Sequence, residues 1–245
     1  MRVLEFNLKG RTAFFKIPLM NTYRYFSFSC IHKQALLGMF GSILGLKGYS
    51  LQNGDYPEYY KKLKDLKVSI EIESPLEIRK KEQAFNNSVG YASQEQGNNL
   101  IIKEQWIENP SYTIRILEES IPEALPLKEY LMESKCIYIP YLGKNDHFAD
   151  ILDVKSYEVE KVEFEVGKSV MIKGLMPDIC SITAKTRKGR FYKFVEDLPI
   201  AIDRENNHYI TEKLIQSNGK MTLKEAETGI EWEICKNEEG VYCFI

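Results

Sequence analysis

The chain has 245 residues, 44% hydrophobic and 28% charged, the make-up of an ordinary globular protein with one large domain or two small ones. No segment of the N-terminus reads as a signal peptide and no run approaches the ~18 apolar residues a membrane helix needs, so the chain is expected to stay in the cytoplasm. Net charge is −2, which taken alone argues against a nucleic-acid binder.

In chain order, residues 3–8 alternate, with Leu4, Phe6 and Leu8 on one face, and predict a half-buried strand. Lys9-Gly10-Arg11 breaks it, and 12–17 is a second extended piece ended by Pro18. Residues 21–29 mix aromatics with hydroxyls and read as extended chain or loop. A helix is predicted over 31–44, with Ser29 as its N-cap and Leu36, Phe40, Ile43 and Leu44 at helical spacing. The same segment carries Gly38, Gly41 and Gly45. Each interior glycine costs a helix about 1 kcal/mol relative to alanine. Their common stripe therefore predicts close approach by a neighbour, either the sheet beneath or a polynucleotide backbone.

Residues 68–72 alternate as a strand, ended by Ser74-Pro75. A polar stretch then runs from Arg79-Lys80-Lys81 to Gly97-Asn98-Asn99. It cannot build a core and reads as a long, mobile excursion. Residues 112–117 form another strand, 122–132 a short amphipathic helix, and 136–139 a strand ending at Pro140. Strand, helix, strand, excursion, strand, helix, strand is the split βαβ, ferredoxin-like plan. From 154 onward, short alternating segments at 157–166, 170–172, 179–186, 191–195, 231–234 and 241–244 predict a smaller all-β region. The expected fold class is α+β: a ferredoxin-like domain over 1–153, with its excursion at about 77–99, and a C-terminal β region over 154–245.

The five cysteines and three separated histidines (His32, His147, His208) match no metal spacing, and the thiols are expected to be free. No phosphate loop, dinucleotide fingerprint, nucleophile elbow or H-E-x-x-H motif occurs. No cofactor is expected. A metal-free ribonuclease would need a base, an acid and a cation. His32-Lys33 beside Tyr23 or Tyr25, or Lys144 with His147, are the sets available, and neither spacing is diagnostic. RNA binding has better support. Seven basic residues and one acid between 1 and 47 give that stretch +6 and leave −8 elsewhere. Tyr23, Tyr25, Phe26 and Phe28 interleave there with Arg24, Ser27, Ser29, His32 and Lys33, just before a helix N-terminus that favours phosphate.

Three stretches, in order, resemble the CRISPR-associated protein 5 family of the RAMP superfamily, with a subtype I-B look. The first is an N-terminal strand followed by Ala13-Phe14-Phe15-Lys16. The second is the helix from Ala35 to Gly45. The third is Pro140-Tyr141-Leu142-Gly143-Lys144-Asn145-Asp146-His147-Phe148-Ala149-Asp150-Ile151, which has one extra residue before Phe148. The resemblance implies an RNA-binding, non-catalytic Cascade subunit of RRM and RAMP architecture. Such a subunit would hold the 5′ handle of the CRISPR RNA, cap the filament of backbone subunits and contact the large subunit. The excursion would be a thumb over the RNA. Arg11, Lys16, Tyr23, Arg24, Tyr25 and Ser27 are expected at the RNA, with Ser29, His32 and Lys33. So are Arg79, Lys80 and Lys81 at the thumb base, and Lys144 in the third motif. The alternative is a metal-independent endoribonuclease of the same family that processes precursor RNA.

Overall fold

The computed structural model describes residues 1–19, 23–49, 56–87, 100–163, 165–183, 190–224 and 231–245. The first half runs β1 (Arg2–Lys9), β2 (Thr12–Ala13), β3 (Arg24–Tyr25), α1 (Lys33–Ile43), α2 (Glu58–Leu63), β4 (Val68–Ile72), β5 (Arg79–Asn87), β6 (Leu100–Glu108), β7 (Ser111–Leu117), α3 (Leu127–Met132) and β8 (Asp150–Glu158). The main sheet has the order β4-β7-β1-β8 and is antiparallel throughout. Its register lines up apolar rows: Val68, Ile116 and Leu4; Ile70, Ile114 and Phe6; Ile72, Tyr112 and Leu8. Residues directly opposite share a face, and onto this one α1 packs Leu36, Leu37, Phe40 and Ile43. Phe40 meets Phe6 edge-on, with ring centroids 6.2 Å apart.

β1 was expected to be half-buried, yet both its faces are covered. The C-terminal half supplies the second cover. It runs β9 (Glu160–Val162), β10 (Ser169–Val170), β11 (Ile172–Lys173), β12 (Met176–Pro177), β13 (Cys180–Thr183), β14 (Lys193–Ile202), β15 (Tyr209–Ser217), β16 (Lys220–Leu223), β17 (Glu233–Asn237) and β18 (Gly240–Phe244). These form small sheets ordered β11-β18-β17-β9, β10-β16-β13 and β12-β15-β14. Cys235, Tyr242 and Phe244 bury Val3, Leu117 and Val159. A polar knot fastens this cover. Arg115 Nε lies 2.6 Å from Glu5, its Nη1 2.8 Å from Glu71, and its guanidinium 4.3 Å over the Tyr242 ring. Tyr157 donates its hydroxyl to Glu5 at 2.7 Å. Burial alone would raise the Glu5 pKa, but Tyr157, Arg115 and Lys155 outweigh it and hold the carboxyl below its ordinary range.

Several boundaries differ from the sequence reading. The stretch 136–139 is not a strand. It runs along the end of α1, where Ile137 N donates to Ile43 O (2.8 Å), and the fourth strand of the sheet is β8. β8 crosses residue 153, and Ile172, Met176, Leu198 and Ile215 join the cluster that holds Leu4 and Phe40. The halves on either side of 153 thus share one core. His32, not Ser29, caps α1: Ala35 N donates to its Nδ1 at 3.3 Å. The third helix starts at Leu127 rather than 122, and β15 and β16 had no expected counterpart.

The glycine stripe divides. A Cβ on Gly38 would meet nothing within 4 Å, whereas one on Gly41 would lie 2.5 Å from Tyr59 Cβ of α2. Gly45 has φ +71° beside Ile137. The close neighbours are therefore α2 and the 137 segment, not the sheet. Cys30, Cys180, Cys235 and Cys243 are buried free thiols, and Cys136 is exposed. Among the described residues no helix is long and apolar enough to cross a membrane.

Candidate nucleic-acid interface

The excursion expected at 77–99 is, in its described part, a paired hairpin. β5 matches β6 from Arg79↔Glu108 to Asn87↔Leu100; residues 88–99 lie outside the described residues. The free edge of β6 is taken by β2 (Thr12↔Glu108) and, in parallel, by β3 (Arg24↔Lys103, Tyr25↔Glu104). Side chains alternate across a strand, so this small sheet has two faces. Trp106, Glu104, Lys81, Phe85 and Tyr25 belong to one; Lys103, Glu82 and Arg24 belong to the other.

The first face interleaves rings and ammonium groups. Phe85 and Trp106 sit 5.6 Å apart, inclined by 48°. Lys81 Nζ is 5.7 Å from the Trp106 ring centre, Lys144 Nζ 5.0 Å from Phe85, and Lys16 Nζ 4.0 Å from Tyr25. Glu104 sits buried at the middle, accepting from Trp106 Nε1 at 2.9 Å and pairing with Lys144 at 3.2 Å. Lys144 also reaches Asp146 at 3.1 Å. Burial would lower the Lys144 pKa, but the hydrogen bonds to Asp146 and Glu104 prevail and raise it, so it stays a cation.

The third sequence motif places Lys144 here. Leu142 is buried; its carbonyl accepts from Phe14 N (3.0 Å) and its N–H donates to His147 O (2.7 Å). Gly143 takes φ +89° with Phe14 O pressed against the space a Cβ would fill. Only glycine serves at that left-handed, crowded point. His147 turns inward, sharing a 2.7 Å hydrogen bond with Thr12 Oγ1 and meeting the Trp106 ring at 4.6 Å. Burial lowers its pKa.

The structure brings together Lys16, Tyr25, Lys81 and Lys144 on this face and places Arg24 on its reverse. Tyr23 is 68% exposed at the start of β3. Arg79 is exposed at the hairpin base, on a cleft of about 260 Å³ shared with Ser29, Glu77 and Glu108. Arg11 is exposed in the turn before β2. Others are drawn inward, contrary to expectation. Ser27 is buried, its hydroxyl accepting from Phe15 N and donating to Phe28 O. Lys80 donates to Ser27 O at 2.7 Å, and burial lowers its pKa. Ser29 gives both its N–H and its hydroxyl to Glu196. His32 is 3% exposed against Phe15, Phe28 and Tyr209, and burial drops its pKa to about 3. Lys33 lines another cleft, of about 320 Å³, with Lys64, Lys67 and Glu231. Arg2 pairs with Glu118 at 3.6 Å. The basic N-terminal stretch is thus not one face.

Sequence reading missed Phe85, Trp106, Glu104, Glu82 and Lys103. Apolar Ile101-Ile102 followed by Trp106-Ile107 was the available signal. Their partner strand, RKKEQAFNN, is polar nearly throughout and carries none.

No family model and no curated protein matches the chain. Among solved structures it is similar to a chain of a CRISPR RNA-guided surveillance complex, at 15% identity over 92% of this chain and 94% of that one, with TM-score 0.50. It is also similar to a CRISPR protein from Archaeoglobus fulgidus (12% identity, 100% and 99% covered, TM-score 0.46). A chain of a Type III-B Cmr-beta complex bound to cognate target RNA and AMPPnP gives 11% identity, 91% and 86% covered, and TM-score 0.47. The likeness to the surveillance-complex chain is one of fold: a mostly antiparallel β protein with a few short helices, matched over nearly its whole length.

Proposed function

We propose that this protein is an RNA-holding, non-catalytic subunit of a CRISPR ribonucleoprotein, gripping the 5′ handle of the guide RNA. The observation that carries the reading is the hairpin face on which Tyr25, Phe85 and Trp106 alternate with Lys16, Lys81 and Lys144. Rings that stack on bases and cations that meet phosphates are the two parts a single-strand binder needs. The chain order β1, α1, β4, β7, α3, β8, with the strands arranged β4-β7-β1-β8, suits a ferredoxin-like, RAMP-type platform. The β5–β6 hairpin is then its thumb. Fold likeness to a chain of an RNA-guided surveillance complex supports the same reading. Ile137, Tyr138, Ile139 and Phe148, all more than half exposed, offer apolar surface for the backbone and large subunits of the assembly.

The holding role is favoured over cleavage by the histidines that sequence singled out. A general base must reach the 2′-OH it deprotonates. His32 and His147 are 3% and 1% exposed, and burial lowers the pKa of both.

The test is fluorescence polarisation with labelled repeat-derived RNA in EDTA, at several salt concentrations. Phe85→Ala should weaken binding roughly 5- to 150-fold, the worth of about 1–3 kcal/mol per stacked base. Lys81→Ala and Lys144→Ala should each flatten the slope of log K against log salt by about 0.7, the single-strand value per phosphate neutralised. RNA recovered from the assay should be intact. Wild-type behaviour in all three variants would reject this face, and cleaved RNA would favour the processing nuclease.

A further inference from the structure

The reverse face of the hairpin carries an arrangement that the fold has little need of. Parallel pairing of β3 with β6 sets Arg24 beside Lys103, and β5 places Glu82 within reach of both. Glu82 Oε2 lies 2.9 Å from Arg24 Nη2, and its Oε1 lies 2.9 Å from Lys103 Nζ. One carboxylate thus holds two cations in a fork, one oxygen to each. All three side chains are 42–53% exposed, where ion pairs contribute little to stability. Lys103 chiefly, and Arg24 further, hold the Glu82 carboxyl below its ordinary range, so it is ionised at neutral pH.

Tyr23 directly precedes Arg24 in the chain. Its backbone has φ +55°, a conformation uncommon for a residue with a side chain. Its carbonyl accepts from Lys103 N at 2.8 Å, which ties the turn to β6. The ring is 68% exposed and contributes nothing to the core. Two cations held at one carboxylate have the parts of a phosphate site, and exposed Tyr23, the neighbour of Arg24 in the chain, adds a ring on which a base can stack. Two donors spaced to grip two carboxylate oxygens also suit two phosphate oxygens.

We propose that Arg24 and Lys103 form a second phosphate site on this hairpin, and that Glu82 occupies it in the free protein as a resident competitor of RNA. This rests on the RNA-holding reading and adds a regulation to it. Incoming phosphate must displace a tethered carboxylate, which weakens the grip on any single-stranded polyanion. RNA that engages the opposite face through its bases can bind without displacing Glu82, whereas a strand held by its phosphates alone bears the whole loss. Glu82 therefore sharpens selectivity at the expense of affinity.

The test compares wild type, Glu82→Gln and the control Glu238→Gln, an exposed carboxylate in the β17–β18 turn. Binding of the labelled repeat RNA and of an unrelated single strand is measured across a salt series. Glu82→Gln is expected to bind both roughly 2- to 10-fold tighter, the worth of one or two exposed charge pairs. Its salt slope should steepen by about 0.7 for each further phosphate that the freed cations neutralise. The unrelated strand should gain more, and Arg24→Ala added to Glu82→Gln should erase the gain. Unchanged binding by Glu82→Gln, at wild-type melting temperature, overturns the competitor while the first face stands. An equal gain in Glu238→Gln overturns it too, as a mere effect of net charge. Absence of salt-dependent binding in wild type and Glu82→Gln alike overturns both readings.

Discussion

Acidification from pH 7 to pH 5 should remove about 2 kcal/mol of stability through His32 alone. The ring is 3% exposed, and burial lowers its pKa to about 3 from an ordinary 6.5. A base whose folded pKa is depressed contributes stability that is fully present above the unfolded value. That stability is lost as pH falls below 6.5, because only the unfolded chain takes up the proton, and the loss ends near pH 3. At pH 5 the unfolded imidazole is about 1.5 units below its midpoint and the folded one is still neutral. At about 1.36 kcal/mol per unit this gives about 2 kcal/mol. Urea unfolding of wild type and His32→Asn at both pH values isolates the contribution. Asparagine keeps the helix cap and does not titrate, while the shared carboxylates cancel in the difference. The ring's lost packing is an offset independent of pH. The wild type should lose about 2 kcal/mol more than the variant between the two pH values. Equal losses would mean that the folded ring titrates and so reaches solvent, as a phosphate ligand or general base would.

The glycines should part company: Gly38→Ala is expected to stabilise by up to about 1 kcal/mol from helix propensity, whereas Gly41→Ala should destabilise by about 1–3 kcal/mol against Tyr59. Thermal melts of the pair decide it, and a destabilised Gly38→Ala would restore a packing role for that end of the stripe. Arg115→Ala should cost about 3 kcal/mol, the low end for a broken buried pair, because it leaves buried Glu5 with Lys155 alone and half-buried Glu71 without its cation; chemical denaturation measures it, and a cost under about 1 kcal/mol would show the knot to be dispensable. Wild type should also weaken as pH falls through the depressed Glu5 pKa, below the ordinary 4.5, and this part of the acid loss should shrink in Glu5→Gln.

Much of the main sheet was legible because its residues obey local rules. The alternation of Leu4, Phe6 and Leu8 and of the 68–72 and 112–117 stretches reports the face that α1 covers. The same alternation hid the second covered face, because Val3, Glu5 and Arg115 are buried by strands more than a hundred residues away. Charge counting failed for a related reason. Position in sequence says nothing about which side of a sheet a cation leaves from, and Arg2, Lys16 and Lys33 ended in three environments. The β5 arm was read as part of a mobile excursion because it has no apolar period. Its pairing with β6 supplies the order that composition withheld. Lys144 was named through its motif, whose glycine and leucine build the turn beneath it.

The central place of β1 bears on how the chain acquires its shape. Its partners are Leu117 and Tyr157 for Val3, and Ile116 and Ser156 for Leu4. The first strand therefore cannot enter its sheet until residues far along the chain have been made and closed back upon it. Loops of that length are entropically costly to close before any contact rewards them, which places such topologies among slow folders, in the millisecond-to-second range. β7 and β8 must leave the ribosome before the apolar residues of β1 are sheltered. That interval is when chaperones would have most to do.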